Sequence, residues 1–172
     1  MNTQTDNPAL IEQLSNYASY HRDRRNIWTH FVGVPMIVLS VIILFSRETY
    51  EFLGLQFSIA TWLLMAVMSV YFKLDFKLSV ALIAFFSLCL VIGHSMAGFD
   101  FAIWLSIALG LFVLGWAFQF LGHYYEGKKP AFLDDVAGLL IGPLFVAAEA
   151  AFVMGLRKPL QAAIEANVGA VR

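Results

Sequence analysis

FAIWLSIALGLFVLGWAFQFL, residues 101–121, holds no charged side chain, and about 20 apolar residues are what a helix needs to cross the hydrocarbon core of a bilayer. Comparable runs lie at about Ile27–Phe45, Ile59–Phe72, Leu78–His94 and Val136–Leu156, the second being the shortest. Backbone inside a bilayer must satisfy its own hydrogen bonds, and the alternation of a barrel strand is absent, so these runs predict helices. The expected class is all-α: a polytopic membrane bundle of four spans plus a fifth segment that is Pro-kinked or re-entrant. The whole chain agrees, with 60% hydrophobic and 13% charged residues, where a soluble domain carries about 45–50% and about 25%. Its 172 residues allow one domain, with a polar stretch over residues 1–26 that lacks the apolar core of a cleaved signal. A net charge of −1 gives no reason to expect nucleic acid, and the single Cys89 excludes an intrachain disulfide.

The loops assign an orientation. Arg22, Arg24 and Arg25 precede the first run, Lys73 and Lys77 flank the second connection, and Lys128 and Lys129 follow the fourth run. Four crossings put all of them on one side, facing away from Arg47 and Asp100, so the N-terminus is expected in the cytoplasm. The membrane would be the inner membrane of a bacterium or the endoplasmic reticulum of a eukaryote. In the fifth segment GLLIGPLF places Gly138, Gly142 and Pro143 mid-run, and Arg157 and Lys158 follow at once. A hairpin bent at Pro143 returns those cations to the cytoplasmic side, and that is the expectation here.

Topology also sorts the four histidines. His21, His30 and His123 fall at the cytoplasmic interface, whereas His94 ends the third run, roughly 30 Å away across the bilayer. Neutral imidazoles converging at one face suit a divalent transition metal such as iron or zinc, with Glu126 one turn beyond His123 as a nearby carboxylate. His21 and His30, nine residues apart, fall on opposite faces of a continuous helix. They meet only if the helix bends or begins between them, so on spacing alone satisfied or interfacial histidines are the preferred reading and the metal is the second. Glu149 lies deep in the fifth run, where an ionisable group is costly and points to a site or to a buried hydrogen bond. Asp134 and Asp135 read as helix caps, and Tyr17, Tyr20, Trp28, Trp116, Tyr124 and Tyr125 as interfacial belt residues. No phosphate loop, nucleophile elbow, CxxC pair, HExxH helix or set of clustered di-iron histidine boxes occurs.

Two segments carry a resemblance. YHRDRRNIWTHFVGVP, residues 20–35, and WAFQFLGHYYEGKKPAFLDDVAGLLIGPLF, residues 116–145, are similar to the motifs of the Mpo1-like proteins. The resemblance implies an Fe(II)-dependent dioxygenase that uses molecular oxygen to shorten a 2-hydroxy fatty acid by one carbon. It further implies His21, His30 and His123 as metal ligands, Glu126 as a fourth or supporting group, and motif positions at Asn26, Gln119 and Asp134. Asn26 and Asp134 join Glu126 as candidate catalytic residues. Arg22, Arg25, Lys128 and Lys129 are candidates to attract the substrate carboxylate. The rival readings are a zinc-dependent membrane lipid hydrolase and a non-catalytic lipid-binding membrane protein.

Overall fold

The structure, a computed structural model, describes residues 7–131 and 137–172. Among the described residues the chain forms seven α-helices and one small hairpin: α1 Pro8–Ala18, α2 Arg24–Phe45, β1 Thr49–Phe52, β2 Leu55–Ser58, α3 Ile59–Leu74, α4 Phe76–Met96, α5 Phe101–Glu126, α6 Ala137–Val153 and α7 Lys158–Val168. The architecture is an all-α polytopic bundle. Helices α2, α4 and α5 are long and apolar enough to cross a membrane, and α3 is a shorter apolar helix beside them.

The polar N-terminal stretch hides an amphipathic helix. Asn7 caps α1 by accepting from the Ala9 N–H at 3.0 Å, and Pro8 starts it, the position where a missing N–H costs nothing. Leu10, Leu14, Tyr17 and Ala18 are buried, the i, i+4, i+7, i+8 face of a helix docked on a core. The chain then breaks for five residues before the Asp23 side chain caps α2 by accepting from the Arg25 N–H at 2.8 Å.

Helices α2 and α5 run antiparallel in close contact. A Cβ on Gly115 would come within 2.9 Å of the Gly33 carbonyl, and one on Gly122 would strike Thr29 and Asn26. Small residues let the backbones approach, which is how helices associate where lipid removes the hydrophobic drive. Farther along, the Ser40 hydroxyl donates to the Ala108 carbonyl at 2.8 Å and the Trp104 indole to Ile43 at 3.1 Å. At that far end the hairpin pairs Tyr50 with Phe57, and Leu53 and Gly54, both with positive φ, form its turn, as a two-residue hairpin loop demands.

The fifth segment departs from the expected bend. Helix α6 runs continuously through Pro143, where the Tyr71 hydroxyl donates to the Leu140 carbonyl in the same turn. A membrane helix tolerates proline when neighbours meet its freed groups. The sharp turn comes later: Leu156 N–H donates to Ala151 at 2.8 Å and Gly155 N–H to Phe152 at 2.9 Å, with Gly155 at φ 74°. This glycine-centred cap ends α6, and α7 leaves at 114° to it. Lys128, ahead of α6, donates to the Ser19 carbonyl at 2.7 Å. Arg157, after it, grips Asp75 at 2.9 and 2.7 Å. Contacts from both flanks of α6 are thus made with the loops at the α1 end of the bundle.

Candidate metal centre

The break between α1 and α2 is what brings the two nearest histidines together. His21 sits in the loop and His30 on the second turn of α2, and their Nε2 atoms lie 3.0 Å apart. His123, near the end of α5, faces both, with ring centroids 4.9 Å from His21 and 5.2 Å from His30. One ring nitrogen from each lies within 4.8 Å of the others, and all three rings are buried. The spacing objection dissolves because no continuous helix joins positions 21 and 30.

Hydrogen bonds fix the tautomers. His21 Nδ1 is 2.7 Å from the Tyr17 carbonyl and His30 Nδ1 is 2.9 Å from the Asn26 carbonyl. A carbonyl only accepts, so each Nδ1 carries the proton and each Nε2 presents a lone pair. Two lone pairs thus face each other at 3.0 Å with no proton between them. Burial, together with the adjacent His30, holds His21 well below the ordinary histidine pKa, in the neutral state. His123 Nδ1 is buried without a partner. Three neutral imidazoles gathered around one point are what a divalent metal satisfies, and two nitrogens bound at about 2.1 Å in adjacent octahedral positions lie about 3.0 Å apart. The donor set fits such an ion.

The surroundings hold these rings rigidly. Tyr17 stacks on His21 at 4.3 Å and 4°, and burial raises its phenol pKa, keeping it protonated. Glu126 does not join the three imidazoles. Its Oε2 accepts from the backbone N–H of Arg22 at 2.9 Å and of Asp23 at 2.7 Å, and from Asn26 Nδ2 at 3.2 Å, fastening the His21 loop to the end of α5. Glu149 meets Arg22 at 3.4 Å. Arg22 is committed internally, donating also to the Ala18, His21 and Gly169 carbonyls. Arg25 is tied to Asp23 at 2.7 Å. Residues 169–172 close over the loop, with Arg172 N–H donating to Arg22 at 2.8 Å and Arg24 N–H donating to Arg172 at 3.0 Å. His94 bonds Ser58 at 3.0 Å by the hairpin, at the opposite end. Asp134 and Asp135 lie outside the described residues.

Beside the imidazoles is a cavity of about 70 Å³ bounded by Tyr17, His30, Trp116, Gln119, His123 and Gly142. Ile37, Val38, Trp116, Leu139 and Pro143 line both this cavity and an apolar groove of about 420 Å³ that reaches Phe45. On its other side, past Tyr17, Ala131 and Gly138, a polar recess of about 300 Å³ is lined by Gln13, Asn16, Ser19 and Tyr20. Tyr17 and Trp116 belong to this site and not to an interfacial belt. Tyr17 was detectable as part of the α1 apolar face, four residues before His21.

Residues 9–154 match the family described as 2-hydroxy-palmitic acid dioxygenase Mpo1-like. The chain is 32% identical over 161 residues to the 2-hydroxy-palmitic acid dioxygenase MPO1 of Saccharomyces cerevisiae, covering 91% of this chain and 87% of that one. No solved structure matches. A match over most of the chain means that the protein belongs to the Mpo1-like family.

Proposed function

We propose that this protein is an iron(II)-dependent membrane dioxygenase that shortens 2-hydroxy fatty acids by one carbon, with His21, His30 and His123 as the metal ligands. The observation that carries the reading is the set of three buried imidazoles, one ring nitrogen of each within 4.8 Å of the others, beside an apolar groove. The yeast relative's name supplies the substrate class and the oxidation. Bound there, iron(II) supplies the activation of dioxygen, which zinc, lacking redox chemistry, does not.

The protein's own groups prepare the site. The Tyr17 and Asn26 carbonyls hold two imidazoles in the tautomer that offers Nε2, a supporting role that keeps a ligating histidine oriented. Glu126 and Asn26 hold the loop that carries His21. Asp134 completes the proposed set, on the segment that enters α6. The groove takes the acyl chain out of water: along α2 the distance from His30 to Phe45 is about 22 Å at about 1.5 Å per residue. The proposed cytoplasmic side is the α1 end, where Arg22, Arg24, Arg25, Lys73, Lys77, Lys128 and Lys129 gather.

The test is anaerobic removal of metal from the purified protein, reloading with iron(II) or zinc(II), and measurement of oxygen uptake and product chain length with 2-hydroxypalmitate. Iron should restore both, and His123→Ala should abolish both. Equal turnover with zinc, or full activity in His123→Ala, would refute it.

A further inference from the structure

Trp116, Gln119 and His123 fall at i, i+3 and i+7 along α5 and all border the small cavity. Gln119 is 5% exposed, and its Nε2 is buried with no hydrogen-bond partner. A buried donor left unmet is more costly than an apolar side chain of the same shape, so packing does not account for a glutamine here. The facing helix makes room for it: a Cβ on Gly33 would collide with the Gln119 carboxamide. The nearby cations that could take an anionic head group are otherwise engaged, Arg22 by Glu149 and three carbonyls, Arg25 by Asp23, and Lys128 by Ser19.

From this we infer that Gln119 recognises the polar head of the substrate, its carboxamide turning away from Gly33 so that Nε2 donates to a carboxylate oxygen of a long-chain acid in the cavity beside His30 and His123. The donor is neutral, so it stays buried without a counter-ion when the site is vacant, and it makes a charge-assisted bond when a carboxylate arrives. One polar anchor in the cavity also fixes direction. With the head on Gln119, the chain has its apolar exit past Trp116, Leu139 and Pro143 into the groove, and carbon 2 is held beside the imidazoles. The inference deepens the dioxygenase reading by naming the group that binds the acid, and for direct binding it requires no metal.

The experiment titrates metal-free protein in detergent with 2-hydroxypalmitate and with 1-hexadecanol, which keeps the chain but has no carboxylate, following tryptophan fluorescence. Gln119→Leu should weaken binding of the acid about 10- to 100-fold and that of the alcohol by less than about twofold. Gln119→Glu, of the same size but anionic, should weaken the acid at least as much. In iron-loaded enzyme Gln119→Leu should raise KM by the same factor, with iron content intact. Wild-type affinity for the acid in Gln119→Leu, or loss of acid and alcohol binding alike, would overturn the assignment. If wild-type protein binds the acid through Gln119 yet consumes no oxygen with iron, the dioxygenase reading falls and the head-group assignment stands.

Discussion

Removal of the Glu126 carboxylate should unfasten the metal centre without touching a ligand. In the structure its Oε2 accepts the backbone N–H groups of Arg22 and Asp23, at 2.9 and 2.7 Å, and the Asn26 amide at 3.2 Å. It does so at the N-terminus of α2, where negative charge is favoured. Glu126→Ala strands two backbone donors in a buried position, and each unmet donor costs about 1–3 kcal/mol. The loop relieves that cost, about 2–6 kcal/mol in all, by lifting away and taking His21 with it. Metal affinity should then fall about 10- to 100-fold, the range typical when a group orienting a ligand is lost. Glu126→Gln should be milder, because an amide oxygen in the same place still accepts both N–H groups and only the charge assistance is lost, about 1 kcal/mol per bond. The assay is competition for zinc(II) against a chromophoric chelator, with thermal unfolding of each variant with and without metal. Wild-type affinity in Glu126→Ala would refute the reasoning. So would an equal loss in Glu126→Gln, since that pattern belongs to a carboxylate that binds the metal itself.

Three further outcomes follow from the same geometry. Metal-free protein should lose stability as pH falls below about 6.5. The unfolded His21 takes up a proton there while burial keeps the folded one neutral, and His21→Gln should flatten that slope by about 1.4 kcal/mol per pH unit in chemical unfolding. Val41→Trp should block the apolar groove about 6 Å short of Phe45, shifting competition among 2-hydroxy acids of graded length toward the shorter ones; an unchanged preference would show that the chain lies elsewhere. His94→Ala should leave metal binding and turnover unaltered and cost about 1 kcal/mol of stability through its lost bond to Ser58.

The spans were readable because apolar length answers directly to bilayer thickness, and the grouping of His21, His30 and His123 apart from His94 followed from the order of the spans, with the loop charges and the motif match behind it. The smaller elements were harder. Leu10, Leu14, Tyr17 and Ala18 spell an amphipathic face, but in a chain with far stronger apolar runs that short signal reads as polar leader. The hairpin's alternation of Tyr50 and Phe52 ahead of the Leu53–Gly54 turn is likewise too short a signal beside the long apolar runs. Pro143 suggested a bend that the structure puts instead at Gly155, because a membrane helix can absorb a proline whose neighbours supply hydrogen bonds, whereas a left-handed residue ends it. The place of Glu126 was correct to one helical turn, yet its partners could not be read. They are backbone N–H groups about 100 positions away, and no spacing rule reaches that far. Arg22 read as a surface cation for the same reason, since its four acceptors come from α1, its own loop, α6 and the tail after α7.

The bond from Asn26 to Glu126 spans 100 positions of the chain, and that separation sets the order in which a newly made molecule becomes competent. The ribosome delivers His21 and His30 first, and until α5 follows, the bare Gly33 face of α2 has nothing to rest against. A chain halted before α5 owns two imidazoles and no Glu126 to fasten the loop between them. On the proposed function, capture of a metal by all three imidazoles therefore waits until α5 has been made. A chain stopped before α5 carries only two of the three proposed ligands, and it also lacks Trp116, which lines both the small cavity and the apolar groove.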